Sequence, residues 1–370
     1  MEYREYWLYL AGIGGMESGR RRMLLEMFGT PEEIYRADEK LLRKCPMLEE
    51  KHIGQILEKR NVDWESEAEK ISGSGIGFVT CEDESFPERL RNIPDAPLFL
   101  FFMGKLPENV EPTVAVIGSR RCSFYGREIC TSLTAELASC GISITSGMAM
   151  GIDGFAHRGA IAAGGKTYAV VGSGPDLCYP AQNRDIYLKL AEKNGTFGGV
   201  ISEYYPGTPP LPLNFPQRNR IISGLADILL VIEARKHSGT SITVGHALEQ
   251  GREVFAVPGR LGDIMSDGCN LLIKNGAHLI TEAADIIEEL KNQYEILLKE
   301  EIRKRKRIPQ KLNPEEKRVL NLLSLHPVRI NEISEKTGLG MGEVSRILVG
   351  LELENLAQEV GKNTYIKISQ

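Results

Sequence analysis

At 370 residues, with 42% hydrophobic content and a formal net charge of −5, the chain is long enough for one large domain with smaller modules at its ends. No apolar run is long enough to span a bilayer, and the first ten residues are too short and too acidic at their start for a secretory leader, so a cytoplasmic protein with no membrane partner is expected. The negative total excludes a uniformly basic nucleic-acid binder but leaves room for a local basic groove, because nearby charges set the field in a cleft.

The first stretch reads as small helices at Glu5–Leu10, Ser18–Phe28, Pro31–Ala37, Glu39–Cys45 and Glu49–Lys59, broken by glycines and Pro46. Gly12-Ile13-Gly14-Gly15 ahead of Arg20, Arg21 and Arg22 is similar to a helix-hairpin-helix turn, whose amides can meet a phosphate. A helical packing unit with a solvated basic face fits the same residues. From Gly73 the chain turns extended, with strands at Ile76–Cys81 and Leu98–Met103 that read as an extra edge on the sheet to come.

Between Pro112 and Ile280, apolar strands at Val114–Ile117, Ser143–Thr145, Thr167–Val171, Val200–Ser202, Ile228–Ile232 and Val254–Val257 alternate with helical segments. Strands apolar on both faces and joined by helices predict a doubly wound, mainly parallel α/β sheet. Ligands of such sheets gather at the carboxyl ends of the strands. Beyond a helix at 283–300 lie five consecutive cations, Arg303 to Arg307, which read as a solvated linker. Helices at Pro314–Ser324, Ile330–Thr337 and Met341–Glu354 and strands at Ala357–Val360 and Thr364–Ile368 then describe a winged helix with a two-stranded wing. Its third helix carries Glu343, Glu352 and Glu354 against one cation, Arg346, so it suits protein contact at least as well as duplex reading. The expected organisation is a helical domain over 1–65, a Rossmann-like domain over 66–290, a basic linker over 291–310 and a winged helix over 311–370. The seven cysteines form no CxxC pair and read as reduced thiols, not as a disulfide framework or a zinc site.

Five loops follow the strands. Gly118-Ser119-Arg120 ends the first, where a glycine admits a phosphate to the backbone and Arg120 adds a charged fork; the helix start behind it favours negative charge. A dinucleotide fingerprint fails here, since GxGxxG is absent and Ser146-Gly147 stands where an acidic residue would bind a ribose. The second loop leads into Asp153 and His157, four residues apart. They could form a catalytic or metal pair, but with no third ligand of fitting spacing the preferred reading is structural, Asp153 capping its helix and His157 hydrogen-bonded nearby. The third and fourth loops, Tyr179-Pro180-Ala181-Gln182-Asn183-Arg184 and Asn214-Phe215-Pro216-Gln217-Arg218-Asn219-Arg220, place cations and amides beside rings, the combination that an unpaired strand needs. The fifth sets Lys236 above Ser238-Gly239-Thr240 at another helix start, a second anion site.

These motifs, with Gly151-Ile152-Asp153, Ser202-Glu203, Val257-Pro258-Gly259 and Gly268-Cys269-Asn270, resemble the DprA/Smf family of bacterial DNA-processing proteins over about 75–280. The resemblance implies an extended Rossmann-like domain, here flanked by an N-terminal SAM-like helical domain and a C-terminal winged helix. It further implies a non-catalytic protein that binds and protects incoming single-stranded DNA in natural transformation and helps load the RecA recombinase past single-strand-binding protein. Dimerisation through the Rossmann-like domain is also implied, and 270–278 is the candidate surface. By the same resemblance Arg120, Ser238, Gly239 and Thr240 hold phosphates, while Phe215 and Asn219 lie in the groove; the lysines that some relatives carry after Tyr-Pro are replaced by Ala181 and Gln182, with Arg184 as a substitute. The expected DNA-binding set is thus Gly118, Ser119, Arg120, Gly147, Asn183, Arg184, Phe215, Arg218, Asn219, Arg220, Lys236, Ser238, Gly239 and Thr240, with no catalytic residue, metal or cofactor. The alternative, a nucleotide phosphoribohydrolase of the lysine-decarboxylase-like group, needs a glutamate shortly after Gly239-Thr240, where Ser241-Ile242-Thr243 stand instead.

Overall fold

A computed structural model describes residues 1–236, 238–291, 294, 312–324, 327–353 and 356–367. The basic run at 303–307, most of the expected helix beyond 291, Glu354 and the last residue of the expected wing lie outside the described residues.

Six helices open the chain: α1 Tyr3–Gly12, α2 Ser18–Phe28, α3 Pro31–Arg36, α4 Glu39–Leu42, α5 Glu50–Lys59 and α6 Trp64–Gly73. The last was not expected from the sequence. Gly12 comes so close to the Trp64 indole that a side chain there would collide with the ring, which accounts for a glycine inside the supposed hairpin by packing. The core of this unit does not end at its last helix. Trp7, Tyr9 and Trp64 share one apolar cluster with Phe78, Phe99 and Phe101 from strands β1 (Gly77–Thr80) and β2 (Phe99–Gly104).

The main sheet has nine strands in the order β1-β2-β6-β5-β4-β3-β7-β8-β9. Strands β3 (Thr113–Ile117), β4 (Ser143–Ser146), β5 (Thr167–Val170), β6 (Gly198–Ser202), β7 (Ile228–Val231), β8 (Glu253–Ala256) and β9 (His278–Leu279) are mutually parallel. The β1–β2 hairpin adds to β6 antiparallel, the expected extra edge. Side-chain alternation divides the interior in two. Val114 and Val116 of β3 and Ile228 and Leu230 of β7 pack under α8 (Phe124–Ser139), α9 (Ile152–Ala162) and α14 (described over 283–291). Ala115, Ile117, Leu229 and Val231 face α11 (Asn214–Gly224), α12 (Thr240–Glu249) and α13 (Asp267–Lys274). Short helices α7 (Glu88–Arg91) and α10 (Arg184–Leu190) complete this part. The strand order reverses between β3 and β7, so the loops after these two strands flank a crevice.

The C-terminal segment forms α15 (Pro314–Leu322), α16 (Ile330–Thr337) and α17 (Met341–Leu353) around Val319, Ile333, Val344 and Leu348. Its sheet has three strands where two were expected, because β10 (Val328–Arg329) pairs with β12 (Thr364–Lys367), which pairs in turn with β11 (Ala357–Gly361). A two-residue strand is too short to leave a sequence period.

Candidate nucleic-acid interface

At the crevice the loop after β3 is locked to the turn before α9. The Ile152 amide donates to Ser119 O at 3.2 Å, and Gly151, at φ +77°, lies against the backbone of Ser119 and Arg120, where a side chain would clash. The preceding Met148 also adopts a positive φ, +59°, which a non-glycine residue tolerates only when its surroundings hold it. One neighbour supplies that hold. Asn183 Nδ2 donates to both Met148 O and Ala149 O at 2.9 Å.

The start of α8 departs from expectation. It begins at Phe124, six residues beyond Gly118, and Ser123 caps it by accepting from the Gly126 amide at 3.0 Å. The buried Glu233 carboxylate occupies the place foreseen for an external anion, accepting from the Ser123 amide at 2.9 Å and its hydroxyl at 2.5 Å. What remains for a ligand at this loop is the exposed Arg120 and the amides of Ser119 and Arg120, which carry no hydrogen bond among the described residues.

Residues 214–220 are not a loop but the first two turns of α11. Phe215, Arg218, Asn219 and Ile222 therefore fall on one face, at spacings of three and four, and all line the crevice. Two cations lie near the Phe215 ring centre, Arg120 at 5.7 Å and Arg218 at 5.8 Å, with the Tyr179 ring 5.9 Å away. Arg218 is the floor: buried, it donates to Gly147 O at 2.7 Å and to Val170 O. Burial lowers its pKa to about 10, which leaves it charged at neutral pH. Asp153 faces it, also buried, and burial pushes its carboxyl above the ordinary carboxylate range against the pull of Arg218. Gly147 makes room for the pair, since a Cβ there would lie 2.6 Å from Asp153 and 2.8 Å from Arg218.

The resulting cavity, about 550 Å³, brings together Gly118, Ser119, Arg120, Phe215, Arg218, Asn219, Ser238, Gly239 and Thr240. The start of α12 forms one wall, and Ser238 Oγ, shielded from solvent, has no hydrogen-bond partner among the described residues. Five expected residues do not line it. Gly147 lies behind Arg218, and Arg184 and Lys236 are exposed elsewhere. Asn183 is buried and engaged with the 148–149 turn. Arg220, two positions from Arg218 and thus on another face of α11, is buried against Glu203 at 2.8 Å, Asp95 at 3.1 Å and Ser18 at 3.2 Å. Residues that the sequence reading did not assign to the site also line it, including Arg235, Pro210 and Pro212. The proline run 209–212 was a visible signal for a stiff wall.

Asp153 and His157 do not act on each other. Asp153 does not cap α9, whose N-cap is Gly151; its Oδ2 accepts from the Ala149 amide at 3.3 Å. His157 Nδ1 meets Thr167 Oγ1 at 2.7 Å, and that hydroxyl donates to Ile144 O, so the imidazole proton sits on Nδ1, and Nε2 has no partner among the described residues. Burial lowers the His157 pKa to about 3 and keeps the ring neutral. Among the described residues no group of three or more His, Cys, Asp or Glu side chains could hold a metal ion, and no helix is long and apolar enough to cross a membrane.

A doubly wound sheet with a cation- and ring-lined crevice at its switch point defines a Rossmann-like protein built to take an extended, anionic, ring-bearing ligand. Residues 77–291 match the family model of DNA recombination-mediator protein A, and 303–361 match that of the DprA winged helix domain. The chain is 44% identical over 207 residues to DNA processing protein DprA of Streptococcus pneumoniae, covering 56% of this chain and 72% of that protein. It is 30% identical over 389 aligned positions to Protein Smf of a Synechocystis species, covering 96% and 97%. The X-ray structure of the S. pneumoniae DprA superposes with a TM-score of 0.65 at 33% identity, over 78% of this chain and 99% of that one. A structure of DNA processing protein A from Helicobacter pylori, described for its single-stranded DNA binding mode, aligns with a TM-score of 0.51 at 29% identity, over 59% and 97%. The chain belongs to the DNA recombination-mediator protein A (DprA/Smf) family.

Proposed function

We propose that this chain binds single-stranded DNA in the crevice, without chemical turnover, and serves as a recombination mediator. The observation that carries the reading is the Phe215 ring with Arg120 and Arg218 both within 6 Å of its centre, in the crevice beside the start of α12. Flat faces there take bases, while Arg120, the amides at 119–120 and Ser238–Thr240 take phosphates. The H. pylori relative, described for its mode of single-stranded DNA binding, supports the same ligand. A phosphoribohydrolase is not favoured: Asp153 is the one carboxylate among the described residues lining the cavity, and Arg218 faces it.

In the cytoplasm, the protein would protect incoming strands and help RecA displace single-strand-binding protein. A homodimer forms through 270–278, whose end is the sheet-edge strand β9, with His278 and Leu279 exposed; an open edge of this kind invites a second copy. The winged helix, with Glu343 on α17, serves protein contact. A salt-titrated binding assay on single- and double-stranded oligonucleotides tests the central claim. Tighter binding to the single strand, weakening steeply with salt, is expected; equal or stronger duplex binding would overturn it.

A further inference from the structure

The crevice is not the only place where cations lie on rings. Across the outer surface of α8 and α9, Arg127 lies 4.5 Å from the Phe124 ring centre and 5.9 Å from that of Phe155, and Arg158 lies 5.8 Å from Phe155 on its own account. Phe124 is 38% exposed. Beyond Arg158 a smaller hollow of about 180 Å³ opens between α9 and α10, where Lys189 lies 5.8 Å from the Phe197 ring.

This surface is joined to the crevice through the start of α9. The Phe155 amide donates to Gly151 O, one turn on from the glycine that abuts Arg120. Arg158 donates to Asn183 Oδ1 at 3.1 Å, and Asn183 holds Ala149, which lines the main cavity. Glu128 and Asp185 each pair with a guanidinium at 2.9 Å and so fix the planes over the rings. Arg121, Arg184 and Lys189 are exposed and make no ion pair among the described residues.

We infer that a single strand bound in the crevice continues over α9 to the α9–α10 hollow, stacking bases on Phe124 and Phe155 with phosphates beside Arg121, Arg184 and Lys189. The inference rests on the single-strand reading of the crevice and extends it. Alternating rings and cations fit an unpaired polynucleotide of any sequence, since every base has a face to stack, whereas a duplex keeps its bases stacked on each other. It also gives Arg184, which the crevice leaves aside, a role.

The test uses the full chain and labelled oligothymidylates of two lengths, about 4 and about 16 nucleotides, the span of site sizes seen for such grooves. Two variants remove the path: Phe124→Ala with Lys189→Ala, both at exposed positions, and Phe155→Leu, which keeps apolar volume but removes the ring. Each should weaken binding of the long strand about tenfold, the order expected for one lost stacked base, and leave the short one unchanged. Arg120→Ala should weaken both. Variants that bind both lengths as the parent does, while Arg120→Ala still weakens both, would overturn the path and leave the crevice standing; so would equal losses at both lengths. No loss with Arg120→Ala at either length would overturn the crevice and the path together.

Discussion

The carboxylate of Glu233 sits on the first turn of α8, taking hydrogen bonds from both the amide and the hydroxyl of Ser123. A fixed internal anion thus satisfies a helix end that in many nucleotide-binding folds is left for the ligand. Removing that charge should be felt in stability. Glu233→Gln is expected to cost about 1–2 kcal/mol, the worth of a charge-assisted bond at a helix N-terminus. Gly126→Ala should cost at least as much, because a Cβ there would collide with the same carboxyl group. Urea unfolding of the two variants measures both; parent-like midpoints would show that the contact contributes nothing.

Arg120→Ala should lower single-strand affinity for all sequences alike, since phosphate contacts carry little base information. The dependence of log affinity on log salt should flatten by roughly 0.7 for each lost phosphate contact. Anisotropy titrations at several salt concentrations provide the check, and an unchanged slope in a folded variant would remove Arg120 from the phosphate track.

Arg220, in contrast, should matter for folding and not for contact with DNA. Leaving Glu203 buried without its cation is expected to cost about 3–5 kcal/mol in Arg220→Met. The double variant with Glu203→Leu should recover part of that loss, because the stranded carboxylate is gone, while buried Arg21 loses the nearby charge that offsets its own burial. If the folded double variant lost single-strand binding as strongly as Arg120→Ala, Arg220 would have to be returned to the site.

His157 makes stability depend on acidity in a defined direction. Its folded-state pKa is lowered from 6.5 to about 3, so between those values the unfolded chain binds the extra proton. The contribution of the neutral ring is complete above pH 6.5 and drains away as the pH falls toward 3, with a slope of up to roughly 1.4 kcal/mol per unit. Unfolding free energies measured at pH 7 and pH 5 should diverge less in His157→Gln than in the parent, the carboxylate contributions being common to both. Equal divergence would mean that His157 titrates normally.

Much of the parallel sheet was legible because its strands are buried on both faces and bounded by turn residues, as Val114–Ile117 and Ile228–Val231 illustrate. Helix α6 was not, since of Trp64–Gly73 only Trp64 and Ile71 are buried and the remainder, apart from Ala68 and Gly73, is polar. Within Arg218-Asn219-Arg220 the sequence offers two arginines with equal claims on a phosphate. Which one reaches the crevice depends on the rotation of α11 about its axis, and packing of Ile221, Ile222 and Leu225 on the sheet sets that rotation. The capture of the α8 terminus by Glu233 was equally hidden, for it joins positions 110 residues apart. Glycine spacing revealed the loops, but not which amides were already taken.

Helix α11 carries Arg218 into the crevice on one side and Arg220 into the buried junction with Ser18 on the other. Both contacts bear on one helix, and any coupling between the N-terminal junction and the crevice would be reciprocal. The N-terminal helices and the crevice are therefore anchored through opposite sides of one short rod, at positions only two residues apart.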